Sequence, residues 1–198
     1  MKSKNTAVIF MDFQIDVCDP EGKMLSKETD VIERFRKARG HATKLLAAAR
    51  ETNPSPAIVH VRHAFSPGYP ELMDKHQSSM DKYVMESGAF VDGTRGSQIV
   101  GELQPRDDEH LVTKRTLSPF ASTDLDWWLR KRGINSLVLA GVVTHYVVLS
   151  TAIAAHDMGY AVTVAKDCCT SGNVDTHETA LGILGPIAAI LNNEELLM

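Results

Sequence analysis

Short apolar runs alternating with stretches of helical spacing constrain this chain more than any other feature. TAVIFMD (Thr6 to Asp12), AIVHV (Ala57 to Val61), HLVTK (His110 to Lys114), SLVLAG (Ser136 to Gly141), AVTVAKD (Ala161 to Asp167) and IAAIL (Ile187 to Leu191) each have the length of a strand. Between them, apolar residues recur at helical intervals, first at Val31, Phe35, Ala38, Ala42, Leu45 and Leu46 in a helix expected from about Glu28 to Arg50. Thr123 to Gly133 reads as a second helix, N-capped and stopped by glycine. A third follows the turn after Gly141 to about Met158, and a fourth surrounds His177 to Leu184. Strands that are apolar without polar alternation are covered on both faces, and strand–helix–strand alternation implies parallel pairing by right-handed crossovers. The expectation is a three-layer α/β/α fold around a six-stranded, mainly parallel sheet.

Composition narrows the function. With 198 residues, 43% of them hydrophobic, the chain suits one domain spanning residues 1–198. The formal net charge is −4, and Lys and Arg are scattered rather than clustered, so neither nucleic acid nor an anionic membrane is the expected partner. A small neutral or anionic molecule is. The leader MKSKNT runs directly into the first strand without a signal-peptide pattern, and no apolar run reaches membrane-spanning length, so a cytoplasmic location is expected. Cys18, Cys168 and Cys169 have no metal-ligand spacing and read as reduced thiols.

In such sheets ligands sit beyond the carboxyl ends of the strands. The polar residues there are Asp12 and Gln14 after the first strand, Arg62 and His63 after the second, Lys114 ending the third, and the turn GVVTHYV after the fourth. Alone, an acid after a strand serves equally well as a turn cap, and a lysine at a strand end is usually solvated. Together in an apolar cleft, Asp12 and Lys114 would perturb each other's protonation, as acid/base chemistry requires. His145 falls in the first turn of its helix, half-exposed, while His156 and His177 are expected on helix surfaces. The weakly periodic stretch from His63 to Asp108, rich in Gly and Pro, is long enough to suggest a functional loop.

Four blocks in order carry a resemblance over nearly the whole chain: VIFMDFQIDVC, GAFVDGTRG, VTKRTLSPFASTDLDWWLRKRGINSLVLAGVVTH, and GYAVTVAKDCCTS followed by HETAL. The sequence resembles the isochorismatase-like hydrolases, which include nicotinamidases and N-carbamoylsarcosine amidohydrolases. By that resemblance the catalytic acid falls on Asp12, the catalytic lysine on Lys114, and the nucleophilic cysteine of the family's amidases on Val147. An isopropyl group cannot attack a carbonyl. The namesake isochorismatases similarly lack the cysteine, carry a histidine in the same turn, and cleave a vinyl ether by proton transfer and water attack. The resemblance further implies a cis peptide at Val142–Val143; the substrate is expected to be held by Phe13, Gln14, Arg62, Phe120, Val143, His145 and Tyr146.

Three readings follow. The first is a cofactor-free hydrolase of a small carboxylated or cyclic molecule, with Asp12 as general acid/base and Lys114 as its charge partner. The second is a catalytically silent relative that binds a ligand or protein. The third is a cysteine amidohydrolase carrying valine for cysteine. Nicotinamidase-like members bind a metal through an Asp-x-His pair, which the segment before the second strand lacks, and no phosphate-cradling glycine loop is present, so neither metal nor cofactor is expected. Apolar Val147, Val148, Ala152, Ile153 and Ala155, with the tail IAAILNNEELLM, suggest a homo-oligomer, a dimer or tetramer like other family members.

Overall fold

The computed structural model describes residues 4–73 and 77–198; residues 1–3 of the leader and 74–76 of the long segment lie outside the described residues. The first strand, β1 (Thr6–Met11), is buried at every position. Around it lie β2 (Ala57–His63), β3 (His110–Lys114), β4 (Ser136–Val142), β5 (Ala161–Thr170) and β6 (Ala189–Leu191), in the order β3-β2-β1-β4-β5-β6 with every pairing parallel. The sheet is the α/β core that the apolar runs imply.

Alternation of side chains along the central strand divides the interior into two cores. Val8 and Phe10 pack with Val31, Phe35, Ala42 and Leu45 of α2 (Thr29–Glu51), α1 being the single turn Ile15–Cys18. On the opposite face Ala7, Ile9 and Met11 meet helices reached later in the chain. These are α5 (Leu125–Lys131), through Leu125 and Leu129, and α6 (Leu149–Asp157), through Ala152 and Ala155. α7 (Val174–Leu184), capped by Asn173 at the backbone of Thr176, adds Leu184 to that side.

The stretch from His63 to Asp108 is more regular than its weak periodicity suggests. It holds α3 (Pro70–Met73), α4 (Ser79–Ser87) and a 3₁₀ turn at Gly101–Leu103. α4 opens on a reciprocal Ser78–Asp81 capping box and closes on Gly88 at φ 66°. Elements of one to two turns leave too few apolar repeats to register in the sequence. A last short helix, α8 (Asn193–Leu197), closes the chain.

One expectation is corrected by packing. Of the five residues in and just before α6 offered as an association surface, Val147, Val148, Ala152 and Ala155 are buried in the intramolecular core, and Ile153 alone is exposed. An apolar helix face looks the same in sequence whether sheet or partner covers it. Among the described residues, no helix is long and apolar enough to cross a membrane.

Candidate active site

The register of the sheet brings four strand ends to one place. β2 and β3 finish together, with His63 paired opposite Lys114, while Met11 of β1 pairs with Val61 on one side and Gly141 on the other. Asp12, one residue past β1, turns out of the strand at φ 60°, its N–H donating to Val61 O at 2.9 Å. Asp is among the few residues that visit this left-handed region, and doing so ends the strand where its carboxylate is needed. After β4 the Val142–Val143 peptide is cis, and one turn of π-helix (Thr144–Val148) leads into α6.

Lys114 and Asp12 are 1% and 5% exposed. The Lys114 ammonium donates to Asp12 Oδ2 at 2.8 Å, to His63 Nε2 at 2.5 Å and to Thr116 O at 3.2 Å. Those three bonds use every donor an ammonium has. His63 therefore accepts at Nε2 and carries its proton on Nδ1. Burial, reinforced by the lysine's charge, pushes its pKa well below the usual histidine value, so it stays neutral. Burial raises the pKa of Asp12 against the pull of Lys114, and lowers that of Lys114 against the pull of Asp12. Each is driven toward its neutral form, and the ion pair opposes both. Asp12 Oδ1 has no hydrogen-bond partner among the described residues.

The turn is held from behind. Thr144 Oγ1 lies 2.8 Å from His177 Nδ1, and Ser171 Oγ lies 2.9 Å from His145 Nδ1. His177 is thus not a surface residue of α7 but faces the turn, with 17% of its side chain exposed; His156 is exposed, as its position on α6 implies. The His145 and Tyr146 rings lie 4.2 Å apart at the cavity mouth.

Asp12, His63 and Lys114 lie in the wall of a cavity of about 350 Å³. Val143, His145, Tyr146 and the 2%-exposed Val147 also line it. Phe13, Gln14, Arg62 and Phe120 do not. Phe13 is packed in the α2 core, and Phe120 lies against Tyr160 on the opposite side of the sheet. Arg62 pairs with Asp92 at 3.1 Å, and its Nε reaches Thr113 Oγ1. Gln14 is fully buried and acts as a clamp: its Oε1 accepts from His63 N, and its Nε2 donates to His63 O and Ser97 O, each at 2.7 Å. A polar residue beside a candidate acid looks like a ligand contact in sequence, yet this one positions the exit of β2. His63 was recognisable only as a strand-end residue, because its pairing with Lys114 depends on register. The deeper wall is apolar, with Val31, Phe35, Phe65, Leu72, Val84 and Phe90. None of the three cysteines lines the cavity, and all are free and buried. Among the described residues, no group of three or more His, Cys, Asp or Glu side chains is placed to hold a metal ion.

The isochorismatase domain family matches residues 6–195. An isochorismatase family protein of Bacillus subtilis, YwoC, is 27% identical over 185 residues, covering 92% of this chain and 87% of its own length. The ureidoacrylate amidohydrolase RutB of Acinetobacter baylyi is 27% identical, over 90% of this chain and 76% of its own. Among solved structures, an isochorismatase-like hydrolase from Alkaliphilus metalliredigens superposes with a TM-score of 0.82 at 25% identity, over 98% and 97% of the two chains. The nicotinamidase PncA of B. subtilis gives 0.76 at 25% identity, over 96% and 100%.

Proposed function

The chain belongs to the isochorismatase family, and from that membership we propose that it is a hydrolase of a small molecule that works without a cysteine nucleophile. Asp12 is the general acid/base and Lys114 its charge partner. The observation that carries this reading is the buried carboxylate with one oxygen on Lys114 and the other unpartnered in the wall of a cavity. A carboxyl group in that position gives a proton to the leaving atom or the substrate carbon and takes one from water; water supplies the oxygen to the bond that breaks. Lys114, with its donors spent on Asp12, His63 and Thr116, sets the protonation of the acid rather than grasping substrate. His63 acts as a neutral positioning residue. Amide relatives such as RutB and PncA suggest the bond types to test first.

Activity screened over isochorismate, small amides and cyclic imides tests the reading. Asp12→Asn should lower turnover by about 10²- to 10⁴-fold in protein that still folds, with some loss of thermal stability because buried Lys114 loses its counter-charge. Asn tolerates the left-handed backbone at this position, so the variant removes charge without strain. Turnover unchanged by Asp12→Asn would defeat the assignment.

A second reading is favoured by Val147 itself: with an isopropyl group where the family's amidases carry their thiol, the chain is a silent relative that binds ligand in the same cavity. Binding without turnover of any screened compound would favour it. If Val147 replaces a cysteine in an amidohydrolase, restoring the thiol would restore amide turnover. For location we retain the cytoplasm, which the three free thiols fit. We also retain a homo-oligomer, now resting on the exposed apolar residues Ile153, Val174 and Ile183 of α6 and α7.

A further inference from the structure

The cavity's walls say more about its ligand than its catalytic floor does. Among the described residues its formally charged lining is Asp12, Asp81, Lys114 and Arg115. Two acids and two bases sum to zero, and each is engaged. Asp12 and Lys114 hold one another, Asp81 accepts from Ser78 in the cap of α4, and Arg115 pairs with Glu71 at 2.7 Å, half in solvent. His63 is held neutral, and burial lowers the pKa of His145 as well. No buried cation is left with a donor to spare for a carboxylate.

Beyond the floor the wall changes character. Val31 and Phe35 come from the first turns of α2, Leu72 from α3, Val84 from α4, and Phe65 and Phe90 from the loops between. All six are under 8% exposed in total, yet all face this space. Tyr83, Leu117 and Tyr146, 50%, 48% and 37% exposed, ring the entrance. At about 350 Å³ the space lies in the range of roughly 300–1,000 Å³ that holds drug-sized ligands. We propose that the substrate is an uncharged amphiphile, whose small polar head meets the unpartnered Asp12 Oδ1 and whose extended apolar part lies between α2 and α4. Charged small acids, including dicarboxylates, are disfavoured as ligands because in the deep part of the cavity they would strip water from their charge with no buried cation to replace it.

The inference deepens the hydrolase reading and rests on it only for the word substrate, so the test reads binding separately from turnover. Calorimetric titration with straight-chain primary amides from four to ten carbons, and with carboxylates of equal length, supplies the probe. Affinity for the amides should rise about three- to fourfold with each added methylene. Each carboxylate should bind at least tenfold more weakly than the amide of its length. Val84→Thr, close in shape but polar, should weaken the ten-carbon amide and spare the four-carbon one. Affinity independent of chain length, or carboxylates binding as tightly as amides, overturns the proposal whatever Val84→Thr does. A chain that binds long amides yet hydrolyses nothing sustains this inference and defeats the hydrolase; one that turns over only short anionic substrates does the reverse.

Discussion

At the scale of single residues, position 147 offers the sharpest experiment. Val147 lines the cavity with Asp12, His63 and Lys114, so Val147→Cys would set a thiol beside a cation that lowers its pKa and a carboxylate that accepts its proton. The exchange is nearly volume-conserving and should cost under about 1.5 kcal/mol. Burial pushes the native thiols the other way: Cys169 to about 12, with Cys18 and Cys168 also well above an ordinary cysteine. In the variant, iodoacetamide should modify residue 147 before any native cysteine, as mass spectrometry of the peptides would reveal. Preferential labelling of Cys18, Cys168 or Cys169 would show that the turn does not present residue 147 to an activating pair. Asp12 and Lys114 could be singled out as candidates, and their pairing anticipated, because chemistry-bearing residues at the ends of apolar strands have few structural reasons to be there. Gln14 misled for the same reason, since side chains that hydrogen-bond buried backbone are as polar as those that meet ligand.

Among the elements, a network behind the site ties helix to sheet. Arg50, in the last turn of α2, donates from Nε and a terminal amine to Glu109 at 2.7 and 2.8 Å, and His60 of β2 lies 2.8 Å from the same carboxylate. Burial alone would raise the pKa of Glu109, but hydrogen bonds from Arg50, the Arg106 backbone and His60 hold it at about 2, against 4.5 when free. A depressed carboxylate stabilises the fold fully above its unfolded pKa and loses that contribution as pH falls toward its folded one. The advantage of the native chain over Glu109→Gln in urea unfolding should therefore be complete above pH 4.5 and shrink toward pH 2. Allowing for partial solvent screening, we expect it to be on the order of 2 kcal/mol at neutral pH. An advantage that persists undiminished at pH 2.5 would remove Glu109 from this role. The long elements were readable because periodicity accumulates over several turns, as along α2. α1, α3, α4 and the π turn were not, for their shape comes from caps, tertiary hydrogen bonds and Asp16. The Asp16 carboxylate accepts from Lys23 N at 3.3 Å and from Phe90 N at 2.8 Å, the latter 74 residues away in the chain.

For the molecule as a whole, self-association is decided by what the fold leaves outside. With most of the apolar face of α6 spent on the sheet, the proposed homo-oligomer rests on Ile153, Val174 and Ile183. Light scattering at micromolar concentration should report a mass above that of one chain, and Ile153→Asp with Ile183→Asp should reduce it to that mass. A native chain that already scatters as a single copy would end the proposal. Strand order was the other feature hidden from the sequence, because apolar runs declare that strands are buried and not which neighbour each one takes. That order has a consequence for how such a site can change over time. Asp12, His63 and Lys114 all descend from the wing built by β1, β2 and β3, whereas residues 143–147 follow β4 at the start of the other wing. The proposed proton handling and the position that faces it thus sit on separate wings of the sheet, free to drift apart. A lineage can discard its thiol in one codon and still pass on an intact acid, its lysine and the chamber they serve.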